Sequence, residues 1–469
     1  MSIGMLLEQA VRDAPNREVF GLAGPTLSLS DLWRRALTGA AMVDKAGPGP
    51  VVFIGPGGPA FAVALFASAF AGRPLLPLDH RLGAPWLRNV LRKAGPGLVI
   101  ADGAARGARL LSEPGVLAST DWLAATSALP PRAAGPVLAD PHAAALLICG
   151  DDGGTVPLSH ADLCRPVLDA SDFALADPGE VSLMCLEPYR FTGLIGLLGS
   201  LCAGRRLVRL RGFSPEAWLT AVAGWGVTHA LVAPTMLGRI VEHWEMYGSD
   251  RRAAAPRVIV YDGEPLPPSL LERALRLFPE TDFVRTYTPY PAHPVVAVLD
   301  PETHRVGGER IGSIGRPRPG VDIEVRDSRG RSCPPRETGE LWVSRSGAVG
   351  ASATGWCRLH ERAWRDGAGY VFLGDWVDTP ASRDQDASDA EIEALLRRHP
   401  DIADVAVTSM PDARQKRRVT ASVVARPGRA LDVLGLRLWV SAWLRSPGIP
   451  AFVVTEARGT SLTNNVHCG

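Results

Sequence analysis

A chain of 469 residues with 50 Lys and Arg against 49 Asp and Glu carries a formal charge of +1 and shows no basic stripe, which excludes nucleic acid as an expected partner. Its length exceeds one ordinary core and predicts two or three domains. Seven scattered cysteines (149, 164, 185, 202, 333, 357 and 468) without paired CxxC spacing predict reduced thiols, no metal site and a cytoplasmic setting, and no stretch is long and apolar enough to predict a membrane span. Residues 6–12 read as an amphipathic helix, Ser30 as the N-cap of a helix over 31–43, and 51–54 as a short buried strand. After the turn Gly55-Pro56-Gly57-Gly58-Pro59 a helix is predicted over 60–71, then strands at 75–78 and 97–101 with a helix at 84–93 between them. Such alternation predicts an α/β fold with a mainly parallel, doubly wound sheet.

The stretch AAALLICGDDGGTVPLSHADL, residues 143–163, is the most informative. An apolar run over 143–148 reads as a buried strand, Gly150, Gly153 and Gly154 break it, and Ser159 can cap a helix starting near His160. Strand, glycine loop and helix start together read as a phosphate cradle. The loop holds no lysine and carries Asp151 and Asp152 instead. A unit charge about 4 Å from a phosphate charge is repelled by roughly 4 kcal/mol at an effective dielectric near 20. Cys149 and His160 flank the loop as a candidate nucleophile and base, with Asp151 and Asp152 as further candidate bases.

Further on, 181–186 reads as a strand, followed by the turn Glu187-Pro188-Tyr189, a Gly-rich apolar helix over 193–202 and a strand at 206–210. Arg190 in that turn is either a surface arginine or a clamp for a carboxylate or thioester, since arginine bonds carboxylates bidentately; Tyr189 and Phe191 stand beside it. His229 reads as a satisfied structural residue or a substrate contact. A strand over 258–261 ends in Asp262-Gly263-Glu264-Pro265-Leu266, and a loop at the carboxyl end of a parallel strand is the expected place for a ligand. Tyr287 and Tyr290 follow in Thr286-Tyr287-Thr288-Pro289-Tyr290-Pro291. Alternating residues Val321, Ile323 and Val325, with turns at 328–330 and 337–339, predict an antiparallel, barrel-like subdomain over 311–375.

These motifs, in this order, resemble the adenylate-forming superfamily, which includes acyl-CoA synthetases, peptide synthetase adenylation domains and luciferase. Its phosphate loop reads Thr-Ser-Gly-Thr-Thr-Gly-x-Pro-Lys-Gly and is followed by Ser-His; here Ser159-His160 stands in place and the loop is rewritten. The resemblance implies an adenine-holding turn at Gly263 and Glu264, an adenine-stacking role for Tyr287, and a ribose contact for Asp375 in Gly374-Asp375. It also implies an acyl pocket lined by Tyr189, Phe191, His229 and Tyr290. Pro291 stands where the family has a magnesium-binding Glu, and Asn464 and Asn465 stand near the family's tail lysine. The hinge hairpin looks deleted.

The expected organisation is a large lobe over 1–377, a short linker at 378–390 and a small α+β domain over 391–469. With four nucleotide-handling features missing, ATP and Mg²⁺ are disfavoured and no cofactor is required. The expected function is ATP-independent acyl transfer, condensation or hydrolysis on a CoA or carrier-protein thioester of a small acyl or aryl acid, with Arg190 as clamp and an acyl carrier protein as a partner. The alternatives are a non-catalytic partner protein and a residual ATP-dependent acid:CoA or acid:amine ligase.

Overall fold

The computed structural model describes residues 1–20, 27–103, 115–137, 139–150, 153–168, 176–210, 212–248, 254–263, 266, 268–289, 295–344, 355–374, 392–393, 396–397, 399, 401–412, 416–426, 431, 436 and 451–455. The chain separates into two units, Met1–Trp376 and Val377–Gly469. Among the described residues no helix is long and apolar enough to cross a membrane.

The first unit opens with α1 (Ile3–Asp13), the short antiparallel pair β1 (Glu18–Phe20) and β2 (Leu27–Ser28), and α2 (Leu29–Ala46). Alternation then runs through β3 (Val51–Ile54), α3 (Pro59–Phe70), β4 (Leu75–Leu78), α4 (Ala84–Ala94), β5 (Leu98–Ala101), β6 (Val116–Ala118) and α5 (Ser119–Ala128). It closes with β7 (Ala144–Cys149), β8 (Thr155–Ser159) and α6 (His160–Leu168). These strands form a six-stranded sheet in the order β6-β5-β3-β4-β7-β8, parallel except for the β7–β8 edge. Helix α3, apolar on every side, is buried along its length except at Pro59, as such a sequence requires.

The cap of α2 is Ser28, two residues before the expected Ser30. Ser28 Oγ accepts the Asp31 N–H at 3.1 Å while the Asp31 carboxylate accepts the Ser28 N–H at 3.3 Å. This reciprocal box needs Asp31 three residues after the cap, and only Ser28 has that spacing.

A second, seven-stranded sheet follows. It is built from β9 (Val181–Met184), α7 (Phe191–Cys202), β10 (Arg206–Arg209), α8 (Pro215–Trp225), β11 (His229–Val232), α9 (Pro234–Tyr247) and β12 (Val258–Asp262). Then come α10 (Pro268–Leu277), β13 (Asp282–Tyr287), β14 (Ala297–Leu299), α11 (Pro301–Val306) and β15 (Arg316–Pro317). The order is β10-β9-β11-β12-β13-β14-β15, parallel from β10 to β13 and antiparallel beyond. The chain leaves β9 toward β10 and then returns to β11 on the other side, so the winding reverses between β9 and β11. A crevice at the carboxyl ends of the strands is expected at such a reversal.

Strands β16 (Asp322–Arg326), β17 (Gly339–Ser344), β18 (Trp356–Arg365) and β19 (Val371–Leu373) pair antiparallel in that order. They form an open four-stranded sheet, and no pairing of β16 with β19 closes it among the described residues; the barrel-like expectation is corrected to a sheet. The alternating positions Ile323 and Val325 face a core shared with Leu341, Val343 and Tyr287 rather than a barrel interior. In the second unit β20 (Ile402–Asp412) and β21 (Lys416–Ala425) pair antiparallel, and β22 (Ala451–Thr455) lies parallel to β21. Ile392, Leu396, Val405, Val423 and Leu436 form its own core.

Replacing Ser28 by Ala removes the cap and is expected to destabilise the first unit by about 1 kcal/mol. Ser30→Ala, at the position first expected to cap, is expected to stay within ~0.5 kcal/mol. Urea unfolding of the two variants, followed by intrinsic fluorescence, checks the assignment; equal effects would contradict it.

Candidate functional site

The glycine loop after β7 is a hairpin, and helix α6 does not start from it. Gly150 N–H donates to the Gly154 carbonyl at 2.8 Å, and Gly153 N–H, at φ +73°, donates to the Gly150 carbonyl at 2.9 Å. Both donors are therefore spent inside the turn. Strand β8 then runs back along β7 before His160 opens α6, where Ser159 accepts the Asp162 N–H at 3.2 Å as the expected cap. Cys149 pairs with Thr155 while Ser159 pairs with Ala144, so Cys149 and His160 stand at opposite ends of the ladder. Five residues of strand separate them by roughly 16 Å, and the structure does not bring them together as nucleophile and base. His160 is also buried, and that burial pushes its imidazole down to about 4, so it is neutral at pH 7. Asp151 and Asp152 lie outside the described residues.

Space supplies what the loop's sequence omits. The position a Cβ would take at Gly153 is 3.3 Å from Val90 Cγ2, 3.6 Å from Asn89 Nδ2 and 3.8 Å from Lys93 Nζ. Helix α4 thus sets a lysine ammonium beside the hairpin turn from 60 residues upstream (153 − 93). An exposed lysine on a helix carries no motif, which is why reading along the chain misses it.

The two sheets meet at their carboxyl ends through Arg81, a second residue the sequence does not announce. Its guanidinium bonds Asp79 at 3.0 Å (Nε) and 2.9 Å (Nη2), reaches Glu187 at 3.5 Å and donates to the Tyr189 hydroxyl at 2.6 Å. Burial opposes the Asp79 charge, but the Arg81 hydrogen bonds and charge outweigh it and hold that carboxyl below its usual range. Burial, then Glu187 and Asp79, push the Tyr189 phenol far above its usual range, so Tyr189 acts as a neutral acceptor for Arg81. Arg190, the expected clamp, is exposed at the N-cap of α7, and Phe191 is buried in the core beneath it. The signal available was the triple Asp79-His80-Arg81 directly after a parallel strand.

His229 sits at the opposite, amino-terminal end of the second sheet. Its Nδ1 lies 2.8 Å from Thr228 Oγ1 and 3.9 Å from the Glu180 carboxylate. A four-residue strand separates it from the carboxyl-end crevice, roughly 13 Å, so it is placed to hold the sheet rather than a substrate.

At the carboxyl end of the second sheet, β12 ends in Asp262. Its Oδ1 accepts from Thr286 at 2.9 Å and Thr288 at 3.1 Å, and its Oδ2 accepts from Thr192 in the first turn of α7. Gly263 follows in an exposed turn at φ +119°, a conformation that favours glycine. Tyr287 ends β13 with its ring packed on Val296, Ala297 and Ile314, and burial with the Glu361 carboxylate pushes its phenol far up. Glu264, Tyr290 and Asp375 lie outside the described residues. Among the described residues no group of three or more His, Cys, Asp or Glu side chains is arranged to hold a metal ion.

Known proteins agree with this architecture. The model for "AMP-binding enzyme" matches residues 7–148 and 154–350, and that for "AMP-binding enzyme C-terminal domain" matches 391–459. The interruption over 149–153 falls on the hairpin turn. A feruloyl-CoA synthase from an Amycolatopsis species is 29% identical, covering 94% of this chain and 92% of that protein. The fatty acid–[acyl-carrier-protein] ligase ScoC of Streptomyces coeruleorubidus is 26% identical over 91% of this chain and 87% of its own length. Among solved structures, the amide bond synthetase McbA from Marinactinospora thermotolerans superposes with a TM-score of 0.72 at 23% identity, covering 99% of this chain and 97% of that one. With the strand order and both matched segments in agreement, the chain belongs to the AMP-binding enzyme family of the adenylate-forming superfamily.

Proposed function

We propose that this protein is an ATP-dependent ligase that activates a small acyl or aryl carboxylic acid and passes the acyl group to a thiol of CoA or a carrier protein, or to an amine. This reading replaces the ATP-independent thioester chemistry expected from the loop's two aspartates. The observation that carries it is the match to the family in both units, on a sheet whose winding reverses between β9 and β11. The relatives' names support it, being a CoA synthase and a carrier-protein ligase.

When bound, ATP supplies the free energy that makes an acyl donor of the acid. The chain's own residues position and balance charge. Gly263 and Tyr287 would hold the nucleoside, and Lys93 would offset negative charge at the hairpin. Arg81 is spent on Asp79, Glu187 and Tyr189 and so fixes the wall of the crevice instead of gripping the substrate.

Pyrophosphate release should depend on added acid when the full-length protein is given ATP, Mg²⁺ and a panel of benzoates, cinnamates and fatty acids. Turnover of acyl-CoAs without ATP, together with no acid-dependent pyrophosphate release, would sink the reading. The Lys93→Ala variant is expected to raise the KM for ATP about tenfold, a loss of ~1.4 kcal/mol, while Lys93→Arg stays near the parent. A KM unchanged in Lys93→Ala would remove Lys93 from the nucleotide site.

A further inference from the structure

We propose that His80 is the proton acceptor of the transfer step, its imidazole taking the proton of the thiol or amine that attacks the activated acyl group. The inference rests on the ligase reading above and assigns a residue to the second half of that reaction. Attack by a neutral thiol or amine forms a bond from sulfur or nitrogen to the acyl carbon. The bond from that carbon to the activating phosphate oxygen breaks, and the oxygen leaves with the electron pair. One proton remains on the acceptor, and a base beside the reacting atoms must receive it.

His80 follows Asp79 directly after β4, in the seam where the carboxyl ends of the two sheets meet. Parallel strands present ligands at that end. The register Leu75–Leu146 sets Leu78, the last residue of β4, level with Cys149, the last of β7, from which the hairpin beside Lys93 departs. On its other side the His80 ring lies 6.3 Å, centroid to centroid, from that of Tyr189 in the turn between β9 and α7. The same turn, through Pro188, walls a cleft with Gly58, Leu186 and Arg209, so open space adjoins the turn beside which the imidazole stands.

The two ring nitrogens are placed differently. Nδ1 is buried, has no hydrogen-bond partner among the described residues and lies 3.7 Å from Asp79 Oδ1. A carboxylate on that side favours the tautomer with its hydrogen on Nδ1, which leaves the Nε2 lone pair to accept. The side chain keeps 19% of its surface exposed, so the ring is not sealed. Burial opposes charge on His80 and keeps the ring neutral at pH 7, the form a base requires. Once Nε2 takes a proton, the new positive charge faces Asp79 on its own strand, Glu187 in the β9–α7 turn and Asp102 after β5, with Arg81 as the opposing cation. Arg81 holds the Asp79 carboxyl below its usual range, so that partner is ionised when the proton arrives. Two other imidazoles are placed elsewhere: His229 stands at the amino-terminal end of the second sheet, and His304 is closed between Tyr261 and the Asp300 carbonyl.

A ring that only filled the seam would serve both halves of the reaction alike, so the test separates them. Acid-dependent exchange of pyrophosphate into ATP reads activation in the full-length protein. Transfer is read by mass spectrometry in a single turnover, after adding CoA or benzylamine to protein already loaded with acid and ATP. His80→Ala is expected to slow transfer about a hundredfold while exchange changes less than about threefold. Added imidazole is expected to restore transfer in His80→Ala and to leave the parent unchanged, a response that lost packing would not give. Transfer that persists in His80→Ala overturns the inference and leaves the ligase standing, as does equal loss of exchange and transfer in that variant. A parent that exchanges but transfers to neither acceptor, or a variant that imidazole fails to rescue, overturns it too. A parent without acid-dependent exchange would sink the ligase reading itself and this inference with it.

Discussion

Two carboxylates clamp the second sheet, one at each end, and they are held by different partners. Below, Glu180 receives Arg205 at 2.7 Å and Arg257 at 3.2 Å and faces His229. Burial opposes its charge, but Arg205, His229 and Arg257 outweigh that and hold the carboxyl below its usual range. The amino-terminal ends of β9 to β12 are thus gathered on a charge that is already compensated. Above, Asp262 gathers α7, β12 and β13 through three threonine hydroxyls; burial raises its carboxyl, and those hydroxyls and the Arg285 charge lower it. The sheet is thus tied by charge pairs at its amino-terminal end and chiefly by hydroxyls at its carboxyl end, where parallel strands present ligands.

Much of the architecture was readable from periodicity. Short apolar runs alternate with amphipathic helices through the first unit, and most expected elements fall within a few residues of the observed ones because strands such as β3, β4 and β9 are buried on both faces and so read as continuous apolar runs. Strand β8 escaped that reading because Thr155-Val156-Pro157-Leu158-Ser159 contains a proline. Pro157 is tolerated because β8 is the edge of its sheet, where a missing N–H costs little. Overlooking β8 moved His160 onto the glycine loop and made a hairpin resemble a strand-loop-helix cradle. The cap at Ser28 was legible in principle, since the box spacing to Asp31 is written in the sequence.

The site was harder to read because its partners are distant in the chain. Arg81 and Tyr189 are 108 residues apart, and Thr192 and Asp262 are 70 apart. Reading along the chain reaches the turns at Pro188-Tyr189 and at Asp262-Gly263, but not the distant residues that meet them, Arg81 and Thr192. Arg190 looked more useful than Arg81, yet a guanidinium at a helix N-cap faces solvent, while one after a buried strand is drawn into the seam between the sheets. The charge argument at Asp151 and Asp152 had the same weakness. It counted charges along the loop and not those that helix α4 brings beside it.

The placement of imidazoles bears on which chemistry the crevice can serve. Transfer or hydrolysis starting from a thioester needs a base to deprotonate the acceptor or water, and a cysteine route needs that base within hydrogen-bond reach of the thiol. His160 lies far from Cys149 and is held neutral by burial, while burial lowers the basicity of His80 beneath the Tyr189 seam. Activation of an acid makes a different demand. The carboxylate is ionised at pH 7 and is its own nucleophile, so the protein must supply orientation and positive charge rather than a proton acceptor. Arg81 ties the carboxyl ends of the two sheets and Lys93 stands beside the hairpin. Among the described residues, His160 therefore stands at the far end of the β7–β8 ladder from Cys149 and is neutral at pH 7.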